Sequence, residues 1–219
     1  MPTLLLIRHG DNDFLKNNKM PGRLPGIHLN ARGHEQAAEL ARSLSRVPIQ
    51  AIYSSPLERA VETAEPLAQL LGLGIQLRPD LTDIDVGDWE GRSLKSLNRT
   101  RLWKVIQDTP SQFQFPGGET FVQAQGRVTR VLDAIESAHG DELVAVVFHA
   151  DPIKLAVAHY LGLSLDNFQR LNTQTGSVTI LKMDGSLGKL LALNLIPPFS
   201  YTNLRDGLSS PPKHCIYRK

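Results

Sequence analysis

Cysteine is nearly absent from this chain: Cys215 is the single one in 219 residues, so no internal disulfide can form, which suits a reducing cytosol. No neighbours of Cys215 suggest a reactive thiol. Charge of one sign is also lacking. The 24 basic and 22 acidic side chains leave a net charge of +2, without the basic excess expected of a nucleic-acid binder, so any local positive potential has to come from a pocket. No apolar run approaches the ~18 residues of a membrane span, and Leu4 to Ile7 is too short, with no basic stretch ahead of it, for a signal-peptide core. The expectation is a soluble, cytoplasmic protein whose partner is a small molecule, with neither membrane nor nucleic acid involved. Internal repeats and low-complexity tracts are missing as well. Oligomeric state is open, a homodimer included.

What is present reads as one domain with a modest insertion, long enough to bury about 70% of its unfolded surface without a metal or disulfide staple. The domain is expected over residues 1–196, with a loop and helical insertion at about 78–118 over the site. The tail, 197–219, carries Pro197-Pro198 and Pro211-Pro212 among mixed polar residues and is expected to wrap the surface or be partly disordered. Apolar residues Ala37, Leu40, Ala41 and Leu44 follow the 3.6-residue period over 31–46, as do Leu57, Ala60, Val61, Ala64, Leu67 and Leu71 over 56–71, where Pro66 should introduce a kink. Phe121 through Ile135 define a third helix, and Asp151-Pro152 is expected to cap a fourth that stops at Gly162. Strands alternating with helices imply an α/β fold: a three-layer αβα sandwich with a mainly parallel sheet covered on both faces. Ser177–Met183 and Leu187–Leu193 read as a terminal hairpin.

Three strand ends carry candidate chemistry. Leu4-Leu5-Leu6-Ile7 runs into Arg8-His9-Gly10, and Leu143 to Phe148 runs into His149-Ala150-Asp151-Pro152. Ala51-Ile52-Tyr53 runs into Ser54-Ser55-Pro56-Leu57-Glu58-Arg59, where Ser55 is expected to cap a helix starting at Pro56 and Glu58 to complete a capping box. Arg59 then falls in a first helical turn, where free N–H groups already favour an anion. Ligands of open α/β sheets bind outside the carboxyl ends of the strands, which is where Arg8, His9, Arg59 and His149 all lie.

With those residues in view, the chain resembles the histidine phosphatase superfamily, the clan that includes cofactor-dependent phosphoglycerate mutases. The likeness spans roughly residues 3–182. It takes in Leu29–Ala37, Ser54–Ala60, Asp83–Gly91 and Pro116-Gly117-Gly118-Glu119-Thr120. The resemblance implies that His9 is the nucleophile and forms a transient phosphohistidine, that Arg8, Arg59 and His149 hold the phosphoryl oxygens, and that a carboxylic acid at Asp83 protonates the leaving oxygen. No cofactor and no metal are implied. Most relatives carry glutamate at the position of Asp83, so either the loop moves inward or Asp85 or Glu90 takes the role. Other departures are Asp11-Asn12 after Arg8-His9-Gly10, Leu15 where mutases place an asparagine, and Ala150 where a glycine usually follows the second histidine.

The physical demand is clear. A phosphate monoester repels nucleophiles through its anionic oxygens, so cations must surround those oxygens and a nucleophile must sit in line. Arg8 and Arg59 stay charged at any working pH. His9 has to be neutral on the attacking nitrogen, with the other nitrogen fixed by a hydrogen bond. Candidate contacts to the rest of the substrate are Asn12, Arg23, Glu119 and Ala150, together with Lys16, Asn17, Asn18 and His28 of a loop expected at the pocket mouth; Trp89 and Trp103 read as packing residues. The leading expectation is a metal-independent phosphomonoesterase for a small phosphorylated metabolite. The alternatives are a phosphoglycerate-type mutase, a metal site built on His9, Asp11 and Asp13 with His149 and Asp83, and a non-catalytic phosphate-binding module.

Overall fold

A computed structural model describes residues 1–185 and 187–199; residues 200–219, with Cys215 and most of the expected tail, lie outside the described residues. Six strands form one mixed sheet: β1 (Thr3–Arg8), β2 (Ile49–Ser54), β3 (Ile75–Leu77), β4 (Leu143–Phe148), β5 (Val178–Asp184) and β6 (Leu187–Leu195), in the spatial order β3-β2-β4-β1-β5-β6. The first four are mutually parallel, while β5 pairs antiparallel with β1 and β6 antiparallel with β5. The terminal hairpin is therefore present and extends the sheet at one edge. The short edge strand β3 was not legible in the sequence; only three residues long, with Gln76 and Leu77 exposed, it lacks a period to read.

The central strands β1 and β4 are buried on both sides, which is why they read as unbroken apolar runs. Leu4 and Leu6, with Val144 and Val146, face the cluster under α4 (Phe121–Ala138) and α5 (Ala150–Tyr160). Leu5 and Ile7, with Ala145 and Val147, face the opposite cluster under α1 (Ala31–Leu44) and α2 (Glu58–Leu71). Each such fully buried aliphatic contributes about 1.5–3 kcal/mol relative to exposure. Phe199 packs onto this second face and its N–H donates to Ser43 Oγ at 3.4 Å.

Residues 78–118 share a third apolar cluster with Phe121 and Ala124 of α4 and Leu155 and Ala158 of α5. Trp89, Phe113 and Phe115 pack edge-on or tilted at centroid distances of 4.9–5.6 Å, and α3 (Arg101–Asp108) adds Ile106 and Trp103. Trp103 stacks on Trp89 at 6.1 Å. Two glycine-lined approaches hold the loops over the sheet edge. A Cβ on Gly33 would come within 2.1 Å of the Asp11 carbonyl oxygen, so α1 can press against the turn after β1 only with glycine there. A Cβ on Gly118 would come within 2.3 Å of the Asp85 carbonyl oxygen, which docks the 116–119 turn onto the 83–91 loop.

Two helix starts differ from expectation. α2 begins at Glu58 with Leu57 as N-cap and no side-chain cap; Glu58 instead accepts from the Gly26 N–H. α5 begins at Ala150 with His149 as N-cap, and Asp151 lies inside the first turn, paired with Lys154. Ser55 is drawn into a tertiary contact with His149, whereas Asp151 takes a local partner three residues on in its own helix. α2 does run through Pro66, as its apolar period required. Among the described residues no helix is long and apolar enough to cross a membrane.

Candidate active site

Register brings the strand ends together. Arg8 pairs with Phe148 across β1 and β4, and Ser54 pairs with Val147 across β2 and β4. The ladders continue one residue further, with the His9 N–H donating to the Phe148 carbonyl at 3.0 Å and the Ser55 N–H to the Val147 carbonyl at 2.9 Å. Consequently His9 and His149 lie side by side, ring centroids 5.2 Å apart and planes at 61°, both buried.

The His9 ring is oriented by its own turn. Nδ1 lies 2.7 Å from the Gly10 carbonyl oxygen, an acceptor only, so Nδ1 carries the hydrogen and Nε2 keeps a lone pair. The turn is fixed in its own right: the Gly10 N–H donates to Thr63 Oγ1 at 2.9 Å, and that hydroxyl donates to the Arg59 carbonyl at 2.6 Å. Burial, then the Arg59 and Arg8 charges, pushes the His9 pKa well below the ordinary histidine value. Neutral imidazole is thereby the resting state.

Arg59 is fully buried. One of its terminal nitrogens donates to the Gly22 carbonyl at 2.8 Å and approaches Asp83 Oδ2 at 3.4 Å, while Nε and the other terminal nitrogen have no protein partner. Arg8 donates to the Thr173 carbonyl at 2.7 Å, and its Nε is likewise buried without a partner. Unsatisfied donors on buried cations are costly, and here they occur on both arginines beside the two imidazoles. That pattern suits the binding of an oxyanion.

His149 makes its contact through Nε2, 2.9 Å from Ser55 Oγ, whereas Nδ1 is buried, unpartnered and 3.6 Å from Asp83 Oδ2. The Leu57 N–H donates to the same Ser55 oxygen at 3.3 Å, which leaves the hydroxyl hydrogen free to point at Nε2 and the ring proton on Nδ1. Ser55 was read from sequence as a helix cap. A hydroxyl beside Pro at a strand end carries both meanings, and only the register of β2 against β4 separates them. Burial, followed by repulsion from Arg59, holds the His149 pKa well below the usual range.

Asp83 is mostly buried; its pKa is raised by burial, against the opposing pull of Arg59. Its Oδ1 accepts from the Ile84 N–H at 2.9 Å. The rival acids are committed elsewhere: Asp85 accepts from the Gly87 N–H and faces Arg23 at 3.6 Å, and Glu90 accepts from the Arg23 N–H at 2.7 Å. Neither lines the cavity. The Asp83 carbonyl is gripped by Arg23 Nε at 2.8 Å and by Arg127 at 3.3 Å, and Glu119 Oε1 bridges those two arginines at 2.9 and 2.7 Å while accepting from the Asp85 N–H. Arg23 and Glu119 thus meet each other behind the acid loop and do not face the cavity. Arg127 is a member that sequence reasoning missed, because an arginine on an amphipathic helix carries no local signal.

The cavity in front of His9 has a volume of about 360 Å³ and is lined by Arg8, His9, Asp83 and Ala150 at its base. Asn12 is not on the wall; it is buried, its Oδ1 caps the short helix Asp13–Lys16 and its Nδ2 has no partner. Lys16, Asn17 and Asn18 are exposed, and His28 pairs with Glu62. The mouth loop supplies Leu15, Lys19, Met20, Pro21 and Gly22 instead. Trp103 packs as expected but also borders the cavity. Among the described residues no group of three His, Cys, Asp or Glu side chains is placed to hold a metal ion, so His9, Asp11 and Asp13 do not form the cluster that their spacing allowed.

The model of the histidine phosphatase superfamily (branch 1) matches residues 4–196. The chain belongs to that family. It is 29% identical over 200 residues to phosphoserine phosphatase 1 of Hydrogenobacter thermophilus, covering 89% of this chain and 93% of the relative. It is 25% identical over 197 residues to a 2,3-bisphosphoglycerate-dependent phosphoglycerate mutase of Thermoplasma acidophilum, covering 90% and 94%. The solved structure of Bacillus stearothermophilus YhfR superposes with a TM-score of 0.84 at 27% identity, over 90% of this chain and 98% of that one. Fold and family read from the strand-end motifs therefore stand, with phosphatases and a mutase among the relatives.

Proposed function

We propose that this histidine phosphatase family member is a metal-independent phosphomonoesterase that works through a phosphohistidine on His9 Nε2. The observation that carries the reading is the His9 ring, whose Nδ1–H is tied to the Gly10 carbonyl while Nε2 stays unprotonated beside two arginines with unsatisfied donors. The two guanidinium groups take the charge that a metal would otherwise neutralise.

In the first step Nε2 attacks phosphorus, the bond from phosphorus to the ester oxygen breaks, and Asp83 gives its proton to that oxygen. Arg8, Arg59 and the His149 Nδ1–H hold the three equatorial oxygens, whose charge builds as the bond breaks. In the second step water attacks the phosphohistidine, the Asp83 carboxylate takes the water proton, and the P–N bond breaks to release inorganic phosphate and restore neutral His9. Asp83 suits both steps because burial raises its pKa toward the working range. Ser55 acts as a positioning residue that keeps the proton of His149 on Nδ1. A mutase would use the same first step and an organic acceptor in the second. Leu15, where mutases place an asparagine, puts an apolar side chain on the wall and favours water.

The test is rapid quench into alkaline detergent after mixing with a labelled phosphate monoester in the presence of chelator, followed by acid treatment of the recovered protein. An acid-labile phosphohistidine, lost in His9→Ala, with inorganic phosphate as product, is the expected result. Binding of phosphate esters without turnover or labelling would instead identify a phosphate-binding module.

A further inference from the structure

We propose that the alcohol leaving from this site is uncharged and largely apolar, so that the substrates are phosphate monoesters without a carboxylate or ammonium group close to the ester. This rests on the phosphatase reading above and specifies its substrate class. The argument comes from the wall beyond the phosphoryl position. Met20, Ile84, Val86, Leu94, Trp103 and Phe115 border the cavity, with the uncharged amides Gln107 and Gln169 beside them; Gln169 Nε2 already donates to the Ile106 carbonyl at 2.9 Å. The only acidic group among the described wall residues besides Asp83 is Asp151, and the only cations besides Arg8 are Lys154 and Lys19.

Neither lysine is available as a carboxylate receptor. Lys154 is mostly buried, is bound to Asp151 and lies 5.2 Å from the centre of the Phe168 ring, so its charge is already matched. Lys19 is exposed at the mouth, where solvent screens it. Asp151 lies near enough to Arg8 and Asp83 to act on both electrostatically, and its pairing with Lys154 leaves no free cation there for a second anionic group on the substrate. An ammonium group fares no better, since Asp151 is spent on Lys154. Desolvating a charge against this wall without a partner is expensive, while an apolar body gains with every contact. At about 360 Å³ the cavity has room for a phosphoryl group with a ring-sized substituent.

The experiment measures phosphate release from 2-phenylethyl phosphate, methyl phosphate, O-phosphoserine and 3-phosphoglycerate. All are esters of aliphatic alcohols, so leaving-group chemistry does not favour the apolar one. The kcat/KM for 2-phenylethyl phosphate should exceed that for O-phosphoserine and 3-phosphoglycerate by about tenfold or more. Trp103→Ala should cut the ratio of 2-phenylethyl to methyl phosphate by about fivefold. Leu94→Arg, which puts an unmatched cation on the wall, should move the preference toward 3-phosphoglycerate even if Trp103→Ala fails to fold. Equal or better turnover of either charged ester by the native chain overturns the proposal while leaving the phosphohistidine reading intact. No phosphate release from any of the four, with no labelled histidine, overturns both.

Discussion

Replacing Asp83 by asparagine keeps the shape of this side chain and removes its proton chemistry, and kcat/KM, which reports events up to formation of the phosphohistidine, isolates proton donation from the later base role. The amide is nearly isosteric, so its oxygen can still accept from the Ile84 N–H, a contact of 2.9 Å in the native chain. What it cannot do is give a proton to a leaving alkoxide. For an alkyl ester such as 2-phenylethyl phosphate the loss in kcat/KM should be about 10²–10⁴-fold. For p-nitrophenyl phosphate, whose phenolate leaves unaided, the loss should stay within about tenfold. The ionised carboxylate also attracts Arg59 across 3.4 Å, a gross interaction of about 5 kcal/mol at an effective dielectric of about 20. Removing it frees Arg59 for anions, so product phosphate should inhibit the variant more strongly than the native enzyme. The assay is steady-state kinetics on the two esters across pH. In the native chain Asp83 must be protonated for the first step, and burial raises its pKa. Alkyl-ester hydrolysis should therefore persist above the ordinary carboxyl range and fall as pH rises through that raised value. In Asp83→Asn this alkaline limb should vanish. Equal losses on both esters, or none on either, would refute the assignment of Asp83 as the acid. Asp83→Glu, which keeps the carboxylic acid and lengthens its arm by one methylene, should retain activity.

Other expectations follow from the same geometry. Ser55→Ala leaves the tautomer of His149 unfixed and should lower kcat by about ten- to a hundredfold with little change in KM, and Ser55→Thr should restore part of it; an unchanged kcat would remove Ser55 from the mechanism. Arg127→Ala loosens the Asp83 carbonyl and leaves Glu119 held by Arg23 alone, so alkyl-ester turnover should fall further than p-nitrophenyl phosphate turnover, a split that a purely structural role would not produce. Gly33→Ala forces its Cβ against the Asp11 carbonyl oxygen at 2.1 Å and should cost about 1–3 kcal/mol in urea unfolding. His9 and His149 have pKa values depressed in the fold, so the unfolded chain binds more protons below its own histidine pKa. Stability should then fall as pH drops below about 6.5, by up to about 1.4 kcal/mol per pH unit for each histidine. The raised Asp83 pKa works in the opposite sense and offsets part of one share. A flat unfolding free energy between about pH 6.5 and 5 would contradict the burial of both rings as neutral groups.

Much of this protein was legible in the chain itself. Apolar runs of four and six residues that end at Arg8-His9 and at His149, separated by helices of 3.6-residue period, determine a mostly parallel sheet with its chemistry at one edge, because crossover connections force successive strands to point the same way. Arg59 could be placed at that edge through its position just after a strand. The tertiary structure alone decided what those residues touch. Strand order and register put β4 between β1 and β2, and with that the two imidazoles became neighbours and Ser55 turned from a cap into a partner of His149. Arg23 and Glu119 looked like substrate contacts from their loops, yet with Arg127 they form the clamp behind Asp83. The physical reason is the range of the interactions. Periodicity and capping act within a few residues, whereas a buried guanidinium takes whichever carbonyl or carboxylate the fold delivers, as Arg127 does with Asp83, 44 residues away in sequence.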